Sequence, residues 1–265
     1  MSRKKVVIGK CRLCGKVSKL SKEHVPPQKA FNQDTVIEYR LESWVRKQKI
    51  KGKQRQGGIA EYTLCGQCNS DTGSWYGTEY VKWANIGFDV LNILEKNPDV
   101  LSNKSTIAVA FKDVYPLRFL KQVITCLFSV ISVSPNSNFA DDNPDLARFV
   151  LDRYQTNLPD TYQFFLTLYR KPSKIRRFPI VGKLTFNYNK DSRVNIIPGT
   201  LSIQSATMFS EMAHPPFVLV RTHGTAFPGA TAISYFKNFK YDECVDMILT
   251  LNVGTGLTPY PGEYQ

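Results

Sequence analysis

Apolar residues fall at helical spacing in a few well-separated stretches of the chain. From Trp75 to Leu94, the positions Tyr76, Tyr80, Val81, Trp83, Ala84, Phe88, Leu91 and Leu94 keep close to a 3.6-residue period, which predicts a helix with one buried face. Asn97-Pro98 then ends the pattern. Pro116 to Ser132 is expected to be a buried helix, because it contains the longest uncharged apolar stretch, from Val123 to Val133. That stretch is about half of the roughly 20 residues needed to cross a bilayer, so no membrane association is expected. Asn143 opens a shorter helix over Pro144 to Arg153. Strands are expected at Thr106 to Phe111, Tyr162 to Tyr169, Lys183 to Tyr188, Leu201 to Ser205 and Phe217 to Arg221, separated by Pro, Gly and Asn. The fold class is therefore α+β, with a boundary near residues 95 to 105 between a front of residues 1–95 and a β-rich α+β body of residues 96–265.

Composition places the chain among ordinary folded proteins. It has 265 residues, 42% hydrophobic and 22% charged, which rules out disorder, collagen-like repeats and coiled coil as whole-chain descriptions. Charge changes the picture more. Residues 1–60 carry 16 Lys and Arg against 4 Asp and Glu, whereas the remaining 205 carry 19 against 18. A surplus of 12 confined to the front implies a bound polyanion, and nucleic acid fits better than a membrane. Met1 to Lys10 has only Val6, Val7 and Ile8 as an apolar run, too short for a secretion signal, so the cytoplasm is the expected location.

Of six Cys, four form two CxxC pairs, Cys11/Cys14 and Cys65/Cys68, while Cys126 and Cys244 are expected to be buried thiols. A two-residue gap lets both thiolates of a pair reach one tetrahedral ion, so the pairs are expected to hold a structural Zn²⁺. Gly15 and Gly66 follow a Cys of each pair and suit a tight turn. The 50 residues between the pairs are too many for a zinc ribbon, so something is inserted. The insert holds Glu23-His24-Val25-Pro26-Pro27 and then a basic run, Arg40, Arg46, Lys47, Lys49, Lys51, Lys53 and Arg55, with Trp44 beside it. Six cations within ten residues suggest contact with phosphates.

These residues supply the parts for metal-assisted phosphodiester hydrolysis. His24 can take a proton from water, since imidazole changes charge near neutral pH. Glu23 and Asn69 offer hard oxygen ligands suited to Mg²⁺ or Mn²⁺, and Asp71 is a spare carboxylate close by. At Cys11-Arg-Leu-Cys14-Gly, Glu23-His24-Val-Pro-Pro27, Gly57-Gly58 and Leu64-Cys65-Gly-Gln-Cys68-Asn69, the chain resembles the HNH endonucleases, the zinc-bearing branch of the His-Me finger (ββα-metal) nucleases. The resemblance covers about residues 11 to 75. It implies a treble-clef ββα finger, DNA cleavage, His24 as the base, and Asn69 and Glu23 as metal ligands. It also suggests a setting such as restriction or phage defence. The chain departs from the family where Ala60 stands in place of the middle Asn, which normally holds the loop of the catalytic His. Either Asn32, Gln33 or Asp34 substitutes for it, or the finger binds without cutting.

The remaining candidates are weaker. His214 and His223 lack ligand neighbours at metal spacing and are expected to be structural. Asp242, Glu243 and Asp246 read as a solvated face, and Lys171, Lys174, Arg176 and Arg177 as a second basic cluster. The expected function is a metal-dependent DNA endonuclease, acting as a homodimer or with an activating protein partner. The rivals are a non-catalytic zinc finger that binds nucleic acid and an RNA-directed nuclease or RNA-binding protein.

Overall fold

The helix expected from Trp75 starts nine residues earlier. In the computed structural model, which describes residues 6–38, 53–97, 106–130, 139–169, 176–189, 200–224 and 229–254, helix α1 spans Gly66–Thr72 and runs through one π-helical turn, Gly73–Gly77, into α2, Thr78–Lys96. Asn69, Asp71 and Thr72 suit the cap of a helix that starts after them, but Cys65 is the N-cap, its sulfur accepting the Cys68 amide. Gly73 keeps right-handed helical angles, so nothing interrupts the axis. Asn97 closes it, donating its amide to the Leu94 carbonyl and its side chain to the Ile93 carbonyl.

Six short strands form three two-stranded pieces at the front. β1 (Ile8–Lys10) pairs with β2 (Val17–Lys19), β3 (Glu23–His24) with β6 (Ala60–Glu61), and β4 (Val36–Glu38) with β5 (Lys53–Arg55), all antiparallel. Behind them, β7 (Thr106–Val114) leads into α3 (Pro116–Val130), followed by α4 (Phe139–Asp142) and α5 (Pro144–Leu151). Then come β8 (Tyr162–Tyr169), β9 (Arg176–Asn189), β10 (Thr200–His214), β11 (Phe217–His223), β12 (Thr231–Ala232), a 3₁₀ turn at Ser234–Asn238, and β13 (Val245–Gly254).

These later strands build one seven-stranded sheet of order β7-β13-β8-β11-β10-β9, with β12 also on β8; only β13 and β8 run parallel. The expected strands are present, and β9 and β10 are longer than their apolar segments. Strand β13 was not expected, although Val245, Met247, Leu249, Leu251 and Val253 alternate with Asp246, Thr250 and Asn252 as a half-buried strand should; the exposed Ile248 breaks the alternation.

Helices α2 and α3 cover one face of the sheet. Every residue of α3 but Arg118 is buried, and Trp83 of α2 lies between Phe111 and Phe119, with ring centroids 4.2 Å from each. Gly87 is required at the crossing with β11, because a Cβ there would come within 2.9 Å of Phe217 and Pro216. One apolar core runs from Cys11 through to Val253, across the expected boundary near residue 95. Among the described residues no helix is long and apolar enough to cross a membrane.

Candidate metal centre and candidate active site

The four paired thiols meet at the N-terminus of α1. Cys11 and Cys14 flank a turn closed by Gly15, which has φ +74° and donates its amide to the Cys11 carbonyl. Cys65 reaches them through its bridge to Leu20 and places Cys68 one turn into the helix. All four sulfurs lie within 4.8 Å of one another, Cys14 Sγ and Cys65 Sγ being 3.9 Å apart. Four thiolates about 2.3 Å from a tetrahedral ion would stand about 3.8 Å apart, so the donor set fits one soft metal ion. The cluster favours the thiolate at Cys11: the Cys65 amide donates to Cys11 Sγ at 3.3 Å and the Cys68 amide to Cys65 Sγ at 3.4 Å, while burial raises the Cys14 thiol and the hydrogen bond to Cys11 raises that of Cys68. The Cys68 thiol, helped by the amides of Cys14, Cys65 and Leu13 and opposed by burial, brings Cys11 down to about 4. Of the two lone cysteines, Cys126 is buried and its thiol is pushed up to about 12. Cys244 is exposed, against expectation, because it lies in the turn before β13.

His24 stands on β3, with Ala60 of β6 opposite it. Its Nε2 lies 3.0 Å from the Gly57 carbonyl oxygen. A carbonyl only accepts, so Nε2 carries the hydrogen and Nδ1 of the neutral ring keeps its lone pair. Gly57 and Gly58 have φ +73° and +81°, and a Cβ on Gly58 would sit 2.1 Å from the Asn32 carbonyl oxygen. Only glycine allows this approach.

Asn32 exploits it. Fully buried, it donates from Nδ2 to the carbonyls of Pro26 at 2.7 Å and Ile59 at 2.9 Å, and accepts the Ile59 amide at Oδ1 at 2.7 Å. It thus ties the loop after His24 to the residue before Ala60, the loop-holding contact expected of the middle Asn. Gln33 and Asp34, the other candidates for that part, are exposed. Beside Asn32, Phe31 adopts φ +60° and packs tilted against Phe88, ring centroids 3.9 Å apart, fixing the loop to α2.

Glu23 does not join His24. Neighbours along a strand point to opposite faces, and Glu23 points inward, where it is 5% exposed and accepts hydrogen bonds from Thr63 Oγ1 at 2.7 Å and Ser129 Oγ at 2.9 Å. Burial pushes its carboxyl up to about 7, against the pull of those two hydroxyls. The expectation that Glu23 joins Asn69 as a metal ligand beside the base His24 is therefore corrected: its carboxyl group anchors the strand to α3. Arg12 adds a second tie, donating to the Ser129 carbonyl at 2.6 Å.

Asn69 does come close to the histidine strand. Its Nδ2 donates to Ser21 Oγ at 3.0 Å and reaches the Lys22 carbonyl at 3.4 Å, two residues before His24. Asp71, two positions further along α1, faces elsewhere and accepts from Gln67 Nε2 at 2.8 Å, so it is corrected as a partner of Asn69. Lys22, which the sequence did not single out, is exposed and shares the strand side of His24. Its even spacing from His24, two positions on in an extended segment, was the signal available for it.

Of the basic run, Arg40, Arg46, Lys47, Lys49 and Lys51, with Trp44, lie outside the described residues; Lys53 and Arg55 belong to β5. Lys171 and Lys174 also lie outside them, and Arg176 and Arg177 open β9. His214 is buried with Nδ1 2.9 Å from the Pro215 carbonyl, and His223 packs edge-on against Tyr162. The acidic trio is partly engaged: Asp242 pairs with Arg118, and Asp246 accepts the Asp113 amide. No protein-family model matches the chain, and no curated protein or solved structure matches it either.

Proposed function

We propose that the chain is a metal-dependent endonuclease of the HNH type that hydrolyses DNA phosphodiester bonds. The observation that carries this reading is the placement of His24, with its ring held through Nε2 by the Gly57 carbonyl, beside a helix whose Asn69 is fastened to Ser21 and Lys22. A two-stranded antiparallel piece bearing the base, followed by a helix bearing an oxygen ligand and rooted in four thiols, supplies the parts that the chemistry needs.

In this reading the four cysteines hold a structural Zn²⁺ and take no part in the reaction. His24 Nδ1 removes the proton from the attacking water, and the Gly57 carbonyl stabilises the imidazolium that forms. Asn32 and the Gly57-Gly58 pair keep the ring in register with the phosphate. Asn69 offers Oδ1, the atom left when Nδ2 is spent on Ser21, toward a hydrated Mg²⁺ or Mn²⁺, which would supply charge stabilisation at the phosphate and leaving oxygen. Lys22 adds a cation on the histidine's side of the strand, and the basic front follows the DNA backbone.

A second reading has a specific observation behind it. Glu23 is turned inward and Asp71 is held by Gln67, so neither carboxylate expected at the metal joins Asn69, which favours a finger that binds nucleic acid without cutting. Nicking of supercoiled plasmid with Mg²⁺ or Mn²⁺ separates the two. Cleavage that disappears in His24→Ala and on metal omission supports the nuclease. Retardation of plasmid without any cleavage, with RNA also left intact, supports the binding module, and cleavage of RNA alone would move the substrate from DNA to RNA.

A further inference from the structure

Five side chains on the body form a ladder in which rings and guanidinium groups alternate. Arg118 lies between Tyr115 and Tyr241, its guanidinium carbon 3.9 and 4.2 Å from the two ring centroids. Arg153 lies over Tyr154 at 4.7 Å and against Tyr241 at 5.5 Å. The inner part is structural: Tyr241 is buried, Arg118 donates to its carbonyl, and Asp242 neutralises Arg118. The outer rung differs. Tyr154 is 57% exposed, and among the described residues no carboxylate pairs with Arg153.

An open tyrosine ring backed by a guanidinium that pairs with no carboxylate among the described residues is what an unpaired nucleobase stacks on, with the cation within reach of its phosphate. The ladder is also tied to the helix that carries Asn69. The Tyr241 hydroxyl donates to the Trp75 carbonyl, six residues beyond Asn69, or about 9 Å along the axis at 1.5 Å per residue. We propose that Tyr154 and Arg153 form a stacking site for one unpaired base of a DNA or RNA strand, outside the residues that surround His24. The inference rests on the nucleic-acid part of the function proposed above. It implies that the preferred substrate carries a single-stranded segment, because bases inside a duplex have no free face to offer.

The test is binding of labelled single-stranded DNA, single-stranded RNA of the same sequence and a DNA duplex, followed by fluorescence anisotropy in a His24→Ala background that removes turnover. Tyr154→Ala is expected to weaken single-strand binding about five-fold or more while leaving the duplex within about two-fold, and Tyr154→Phe is expected to bind as the parent. Loss on DNA or on RNA alone identifies which strand supplies the base. Single-strand affinity unchanged in Tyr154→Ala overturns the inference, as does an equal loss on single strand and duplex. A parent protein that binds the duplex under those outcomes leaves the nuclease reading intact, whereas a parent that binds no nucleic acid overturns both. Tyr154 is exposed, so an unchanged melting curve is expected to accompany the truncation.

Discussion

The front of the molecule is held by strands of two or three residues, whereas the body's sheet, apart from β12, uses strands of seven to fifteen. The front also leaves Ile8 and Val17 64% and 72% exposed on its first hairpin, while α3 in the body buries nearly every side chain. Small elements cannot remove enough apolar surface from water to stand alone. What supplements the front's small share of the common core is a set of point fastenings: four thiols around one position, three hydrogen bonds at Asn32, and Glu23 held by Thr63 and Ser129. The comparison teaches that the catalytic candidates sit where order depends on a few named contacts.

The largest effect should come from the thiols. If the four thiols hold an ion, stripping it with a strong chelator, or combining Cys11→Ser with Cys68→Ser, is expected to unfold the front, since such ions supply on the order of 10 kcal/mol in small domains. Hydrogen exchange should show Val17–Lys19 losing protection while Val245–Gly254 keeps it. Equal protection in both regions would dissolve the contrast. Next in size, Trp83→Ala, which empties the place where α2 wedges into the body, should cost about 3 to 5 kcal/mol in denaturant titrations, because its ring is sandwiched between Phe111 and Phe119. A loss below about 1 kcal/mol would mean that the body, too, relies on something other than packing.

Two buried charges give the regions opposite responses to pH. The native carboxyl of Glu23 titrates near 7 against an ordinary 4.5, so the folded chain keeps a proton that the unfolded chain has already lost. Its contribution to stability is full below about 4.5, falls as pH rises to about 7 and is flat above, a change of about 3 kcal/mol. Lys121 of α3 is fully buried against the carbonyls of Asp152 and Arg153, and burial brings its ammonium down to about 7 from 10.5. There the unfolded chain holds the extra proton, so stability rises between about 7 and 10.5. Chemical denaturation across this range should show the first slope flattened in Glu23→Gln and the second in Lys121→Met. A first slope unchanged in Glu23→Gln would place its titration elsewhere. The smallest effect is expected at the Lys10–Asp141 pair between front and body: with both side chains about half exposed, Asp141→Asn should change stability by less than about 0.5 kcal/mol.

Features with local causes were legible in the sequence. The cysteine pairs, the helix ending at Asn97-Pro98 and the strand at Tyr162–Tyr169 follow from spacing and period alone. The inward turn of Glu23 was not legible, because its face is settled by Ser129, 106 residues away. Asn32 could be named as a substitute for the residue missing at Ala60, yet its grip on Ile59 needs the glycine pair to bring two distant loops together. The early start of α1 was hidden by polar residues that cap helices elsewhere, and here the cap is a sulfur.

The unbroken helical axis from Gly66 to Lys96 has a consequence for dissection of the molecule. Its first turn belongs to the thiol cluster, and its later turns present Tyr80, Trp83 and Ala84 to the body. A fragment cut after Lys96 would carry that apolar stripe into water with nothing to cover it, and a fragment starting after Lys96 would lose the wedge that fills its own interior. The front is consequently not a cassette that can be transplanted whole. Any graft into another scaffold must bring a surface shaped for Trp83, or redesign the helix beyond Gly77.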